Sequence, residues 1–559
     1  MRITEKLTLV AVFLMVLCLA VMPAKASGPV EAKNGMVAAA HPLASQVGVE
    51  ILKKGGNAVD AAVATAFALG VVEPNASGLG GGGFILIYNA KTKGVTAIDY
   101  REMAPLKATP DMYKLTPDGK VVDNEIAVGH KAVAIPGTLA GLTLALKQHG
   151  TMSLKDVMAP ATRIAEEGFI VSNTLNGIIK DNFDKLTQYP AAAAIYLKDG
   201  LPYEAGDKLV LKDLAKSYRL IAENGPDVFY KGEIAEAIEK EMKASGKGLI
   251  RKEDLAAYKP AIRTPVRGTY RGYEIISMAP SSSGGTHIIQ ILNILEGYNM
   301  TKLGFQTPES LHIMAEAMKR AFADRSKYMA DTDFVKVPIA GLISKKYADE
   351  LRKGISMDAV GSKIPAGNPL PFVGSGGTSH LSVIDKQGNI VALTQTINYF
   401  FGSGVLVPGT GIMLNNEMDD FNPQPGNSNS VEPKKRPLSS MSPTIMLKNG
   451  KPFLSVGTPG ATRIISAVPQ IIVNIVDFQM NIQDAIEAAR IHCMTGDIFM
   501  ESRFPKEVQD ALTAKGHKIS LKGAMDLYFG GAQGVMIDPV SDKLYGAGDP
   551  RRDGVAVGY

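Results

Sequence analysis

The chain is predicted to fold as a layered α+β or α/β protein. Strand-like runs occur in both halves of its 559 residues, and helical patterns with apolar spacing lie between them. Its 45% hydrophobic and 21% charged content suits one large core. In chain order, 44–70 is helix-like but interrupted at Gly55-Gly56-Asn57, and 84–88 and 95–100 are strand-like. Residues from about 106 to 270 are mostly helical patterns broken by Gly and Pro. The run 269–278 reads as a strand, 287–295 as a buried helix and 310–331 as another helix. In 354–377, 12 of 24 residues are Gly, Pro or Ser, which predicts a mobile linker. Beyond it the pattern is strand-rich, with helices near 483–490 and 505–515. No internal repeat is evident.

Residues 1–26 read as a secretory signal peptide. Arg2 and Lys6 precede an apolar run over 7–22, and Ala24-Lys25-Ala26 has the form of a cleavage site before Ser27. The apolar run is short for a membrane span. Export to a periplasm or the medium, with no stable membrane anchor, is therefore expected. Loss of the leader takes away three cations and one acid, lowering the net charge from +5 to +3. That excess is too small to argue for nucleic acid. Cys18 leaves with the leader, so Cys493 stands alone and no internal disulfide is possible. A buried structural thiol is the expected state of Cys493. The eight histidines show no metal-ligand spacing, and Gly80 to Gly83 lack the Lys-Ser/Thr of a phosphate loop. No metal and no organic cofactor is expected.

The linker stops at Thr378, which opens a strand over 378–385. A slack Gly run ending at a hydroxyl residue is what a self-cleaving precursor needs, although Gly-Gly-Thr also occurs in ordinary loops. Thr378 Oγ would attack the Gly377 carbonyl, shift the acyl group from N to O, and leave an ester for water to cut. The product is a Thr with a free α-amine, a nucleophile and base in one residue. The turn Lys386-Gln387-Gly388-Asn389 and a second run, 390–396, predict a hairpin pairing residues whose numbers sum to 774 or 775. Thr396 then lies opposite Thr378, with Asn398 just beyond. His380 shares the Thr378 face, but the freed amine is nearer and already aimed.

Several motifs appear in one order: Thr378-Ser379-His380, Thr396-x-Asn398, Asn415-Asn416-Glu417-Met418-Asp419-Asp420-Phe421, Arg436-Pro437-Leu438-Ser439-Ser440-Met441 and Gly457-Thr458-Pro459-Gly460. With Gly80 to Phe84, Arg101-Glu102-Met103-Ala104-Pro105 and Gly548-Asp549-Pro550-Arg551, they resemble the γ-glutamyltranspeptidases (glutathione hydrolases) over nearly the whole chain after the leader. The resemblance implies an α+β fold, the four-layer αββα sandwich of the N-terminal-nucleophile hydrolases. It implies a large subunit, 27–377, and a small catalytic subunit, 378–559, sharing one core as a heterodimer. Thr378 and Thr396 would be catalytic, with Gly460 and Ala461 supplying oxyanion N–H groups. Arg101, Ser439 and Ser440 would take the donor's α-carboxylate, and Asn398, Glu417 and Asp420 its α-ammonium. Donors would be glutathione and other γ-glutamyl compounds, and acceptors water, amino acids or peptides.

Two departures from the family stand out. Ala461 replaces the usual second glycine of the oxyanion pair, adding a Cβ there. Only thirteen residues, 422–434, separate Asp420-Phe421 from Lys435-Arg436, where many members carry a longer lid. An uncovered site predicts hydrolysis alongside transfer and tolerance of bulky donors. A poly-γ-glutamate hydrolase or a β-lactam acylase of the same fold are alternatives, as is a secreted binding protein on an inactive scaffold. Arg101 and Asp420 favour a glutamyl end, and the retained Thr378, Thr396 and Gly460 favour an enzyme.

Overall fold

The computed structural model describes residues 28–361 and 376–559. The expected leader, its cleavage point and most of the 354–377 linker lie outside the described residues. Fourteen strands make two seven-stranded sheets among these residues. They are β1 (Val30–Ala32), β2 (Gly35–Ala39), β3 (Gly82–Tyr88), β4 (Val95–Asp99), β5 (Ala261–Arg263), β6 (Val266–Tyr270) and β7 (Tyr273–Ser277), followed by β8 (Gly376–Asp385), β9 (Ile390–Tyr399), β10 (Thr444–Lys448), β11 (Lys451–Gly457), β12 (Gln533–Ile537), β13 (Leu544–Gly548) and β14 (Val555–Gly558). The first sheet runs β14-β2-β8-β9-β3-β4-β5 and the second β1-β13-β12-β11-β10-β7-β6.

Period-two alternation divides the first sheet's side chains between two cores. Val37, Ile85, Leu381, Val383, Val391 and Leu393 face α1 (Pro42–Lys53) and α2 (Ala58–Val72). Their neighbours Met36, Phe84, Leu86, Ile384, Ile390 and Ala392 share a core with the second sheet. That sheet is covered in turn by α5 (Gly284–Leu295), α6 (Pro308–Tyr328) and α7 (Arg463–Val476). Helix, sheet, sheet and helix therefore stack as the expected αββα sandwich.

The break read at Gly55-Gly56-Asn57 separates α1 from α2. Asn57 caps α2 with Asp60 in a reciprocal capping box. Asp60 also accepts from Thr151 N at 2.8 Å and Met152 N at 3.0 Å. This ties α2 to the loop between α3 (Thr138–His149) and α4 (Leu154–Glu167). Two sequence readings need correction. Residues 269–278 are a hairpin, not one strand, because Arg271 and Gly272 both take positive φ, 50° and 80°, in a tight turn between β6 and β7. Within 106–137 the helical reading fails; only two three-residue 3₁₀ turns form. Pro110, Pro117, Gly119, Gly129 and Pro136 interrupt any longer run. Cys493 is a buried free thiol whose pKa burial raises to about 12.

Candidate active site

The hairpin forms in the expected register, with Thr378 opposite Thr396 across β8 and β9. The chain is continuous through Gly377 and Thr378, both within β8. Thr396 Oγ1 donates to the Gly377 carbonyl at 2.6 Å and accepts from Asn398 N at 2.7 Å. Thr378 Oγ1 lies 3.2 Å from Thr396 Oγ1. A hydroxyl has one proton, and that of Thr396 goes to the carbonyl. Thr378 therefore donates to Thr396, which holds its Oγ beside the Gly377–Thr378 peptide bond. Both threonines are buried.

His380 takes no part. Its Nδ1 meets Thr394 Oγ1 at 2.8 Å and its Nε2 meets Ser382 Oγ at 3.1 Å. Burial lowers its pKa to about 3, so it braces the space between the sheets as a neutral ring.

Opposite the hairpin sits a charged cluster. Arg101 follows β4 and is 1% exposed. Its Nη1 is 2.5 Å from Glu417 Oε2 and 3.6 Å from Glu102 Oε2, and its Nη2 pairs with Asp420. Its Nε donates to Pro437 O at 3.2 Å. Burial works against the guanidinium charge, but Glu417, Asp420 and Glu102 more than offset it. The carboxyls share one cation in a dry setting. Burial consequently lifts Glu417 well above the ordinary carboxylate range and Glu102 to about 8, with Arg101 opposing.

Thr378, Thr396, Asn398, Arg101, Glu417, Asp420, Ser439, Ser440 and Ala461 line one cavity of about 60 Å³. Gly460 lies beside it without lining it. Gly460 and Ala461 precede α7 with φ of 125° and 50°. Among the described residues neither N–H donates to any partner. Both are open donors at a helix N-terminus, where an anion is favoured. The left-handed φ of Ala461 costs about 1–2 kcal/mol.

Sequence reasoning missed several cavity residues, among them Tyr399, Asn429 and Arg325. Tyr399 ends β9 and its hydroxyl donates to Asp419. Asn429, from the short segment in place of a lid, accepts from Leu438 N at 3.1 Å and donates to Asp420 O at 2.7 Å. Arg325, near the end of α6, donates to Ser283 Oγ at 2.8 Å and Ser440 Oγ at 3.2 Å. Burial lowers its pKa to about 10. Of these three, only Asn429 carried a sequence signal, since the shortened segment drew attention to its own residues.

A sandwich with an internal strand that carries a hydroxyl beside the peptide bond preceding it has the build of an N-terminal-nucleophile hydrolase. The comparisons narrow the class. The family described as gamma-glutamyltranspeptidase matches residues 44–559, and the chain belongs to that family. It is 49% identical to the glutathione hydrolase proenzyme of Escherichia coli (strain K12), over 95% of this chain and 93% of that one. It is 45% identical to the acylase ACY 1 proenzyme of Pseudomonas sp. (strain SE83), over 95% and 94%. The crystal structure of cephalosporin acylase from Bacillus halodurans superposes with a TM-score of 0.86 at 32% identity, covering 96% of this chain and 98% of that one.

Proposed function

We propose that this protein is a γ-glutamyltransferase and glutathione hydrolase that activates itself by cutting between Gly377 and Thr378. The carrying observation is the 2.6 Å bond from Thr396 Oγ1 to the Gly377 carbonyl, with Thr378 Oγ1 held 3.2 Å from the same hydroxyl. Attack of Thr378 Oγ on that carbonyl, polarised by Thr396, forms an ester and frees the Thr378 nitrogen. Water then hydrolyses the ester, leaving a Gly377 carboxylate and a Thr378 α-amine. In the mature site the amine takes the Oγ proton as Oγ attacks a γ-amide carbonyl. The Gly460 and Ala461 N–H groups meet the developing oxyanion, each such donor being worth about 2.7–4 kcal/mol. The leaving amine departs with the proton, and water or an acceptor amine resolves the γ-glutamyl ester.

The donor's zwitterionic end needs a cation and acids a few ångströms apart. Arg101 with Ser439 and Ser440 supports the α-carboxylate, and Asn398, Glu417 and Asp420 support the α-ammonium. Subunits 27–377 and 378–559 stay together as a heterodimer, and the leader-like N-terminus supports export. Among the described residues, no helix is long and apolar enough to cross a membrane. The short 422–434 segment supports hydrolysis alongside transfer.

The test combines a denaturing gel, N-terminal sequencing and turnover of γ-glutamyl-p-nitroanilide. The wild type should give two pieces, the smaller starting at Thr378, and release nitroaniline. Thr378→Ala should remain one chain and lose about 10⁴-fold or more in activity. A small piece starting elsewhere would sink the cleavage reading. Turnover of an acyl amide lacking the zwitterionic end in preference to the γ-glutamyl donor would favour an acylase.

A further inference from the structure

A buried ion pair sits behind the end of the Thr378 strand and has no part in the chemistry above. Glu73 directly follows α2, and Arg552 lies in the loop before β14; they are 8% and 4% exposed. Arg552 Nη1 donates to Thr378 O at 2.8 Å and lies 3.9 Å from Glu73 Oε1. The Arg552 guanidinium is 5.5 Å from the centre of the Phe400 ring. Ser379, next to the nucleophile, donates its hydroxyl to Glu73 Oε2 at 2.5 Å. The pair thus grips the backbone carbonyl of Thr378 and the side chain of the following residue. It joins the two pieces across the cut, Glu73 belonging to one and Arg552 to the other.

Covalent geometry puts the Thr378 nitrogen within about 3.7 Å of its own carbonyl oxygen. The Arg552 Nη1 is then no more than about 6.5 Å from the atom that becomes the α-amine. A cation at that range disfavours the ammonium form and favours the free base. Glu73 opposes this when ionised. Burial raises its pKa to about 7, with Arg552 and Ser379 opposing and Asp553 adding to the rise. Its charge therefore changes across the neutral range.

We propose that Glu73 and Arg552 are positioning residues that hold the cut end of the strand and set how readily the Thr378 α-amine sheds its proton. This rests on the reading that the chain is cut before Thr378. A free α-amine ordinarily titrates at about 7.7–8.0, so a base needed at neutral pH gains from a nearby cation. Arg101, Glu417, Asp419, Asp420 and Arg325 around the cavity form a background common to all variants. So do Arg463, Asp549 and Asp553, whose charges act on Arg552.

The experiment is the pH profile of kcat/KM with γ-glutamyl-p-nitroanilide, on cleaved wild type, Arg552→Gln, Arg552→Lys and Glu73→Gln. Activity needs the free amine, so it rises with pH through the amine pKa. Arg552→Gln should move that acid limb up by about one pH unit. Arg552→Lys should return it most of the way. Glu73→Gln should move it down, by less, because Glu73 is neutral over part of the range. A purely structural role would lower activity without moving the limbs in opposite directions. If Arg552→Gln fails to fold or to cut, Glu73→Gln and Arg552→Lys decide the matter. Unmoved limbs, or limbs moving the same way, in cleaved and folded variants would overturn the proposal. Absence of cleavage or turnover in the wild type would instead overturn the functional reading beneath it.

Discussion

The two walls of the cavity are built on opposite plans. One is a hairpin carrying neutral hydroxyls, where Thr378, Thr396 and Asn398 lie within 21 residues of one another. The other gathers Arg101, Glu417, Asp420, Ser439 and Ser440, with Glu102 beside Arg101, from segments more than 300 residues apart. The hairpin positions its groups by strand register, which costs little and tolerates no slip. The cluster positions its groups by Coulomb attraction in a dry pocket, which is strong only while every partner remains. On the proposed function, cutting chemistry would belong to Thr378 and Thr396 of the first wall, and choice of donor to the second wall together with Asn398.

That division should fail visibly if it is wrong. The largest effect is expected at Thr396. Thr396→Val keeps the shape but removes the donor to Gly377 O, and cleavage should slow by about 10²–10³-fold, read from the time course of the two bands on a gel. Unchanged cleavage would mean that the carbonyl is polarised by another group. Arg101→Ala comes next. It should leave cleavage largely intact and weaken donor binding by roughly 1.5–3 kcal/mol for each charged hydrogen bond lost, measured as kcat/KM. It strands three carboxyls, so thermal stability should fall too.

A smaller effect concerns pH. The folded pKa of Glu102, about 8, lies above the ordinary 4.5 because burial disfavours its charge. The unfolded chain sheds this proton above pH 4.5, whereas the folded chain keeps it until about pH 8. The folded state binds the extra proton in that window, so stability declines as pH rises through it, on the order of 1.4 kcal/mol per pH unit at most. Glu102→Gln should flatten the decline of Tm between pH 5 and 8. An unchanged slope would place the proton on another group. The smallest effect is at Ala461, where glycine relieves the left-handed φ. Ala461→Gly should stabilise by about 1 kcal/mol and change kcat less than twofold, by calorimetry and initial rates.

The same contrast explains what could be read from the sequence. The Thr378–Thr396 register followed from a Gly-Asn turn and two β-type runs, because hairpin pairing is arithmetic on neighbours. The break between α1 and α2 followed from Gly55-Gly56-Asn57 for a similar reason. Arg101 beside Glu417 and Asp420 did not follow from any local rule, and only the resemblance brought them together. Arg325 and Arg552 escaped altogether. Each is one arginine among many, given meaning by a hydroxyl or carbonyl more than a hundred residues away. The 269–278 hairpin was misread because Arg271-Gly272 looked like strand residues until both took positive φ.

The order of the first sheet carries a last consequence. Strands β14, β9 and β8 from Thr378 onward come from after Gly377, while β2, β3, β4 and β5 come from before it, and β2 lies between β14 and β8. A nick at Gly377 therefore severs the chain without dividing the body. Before the nick, refolding is a first-order search by a single molecule. After it, two strangers must meet and interleave, so recovery from denaturation becomes second order and fades with dilution. On the proposed function, maturation would thus turn a search within one chain into an encounter between two.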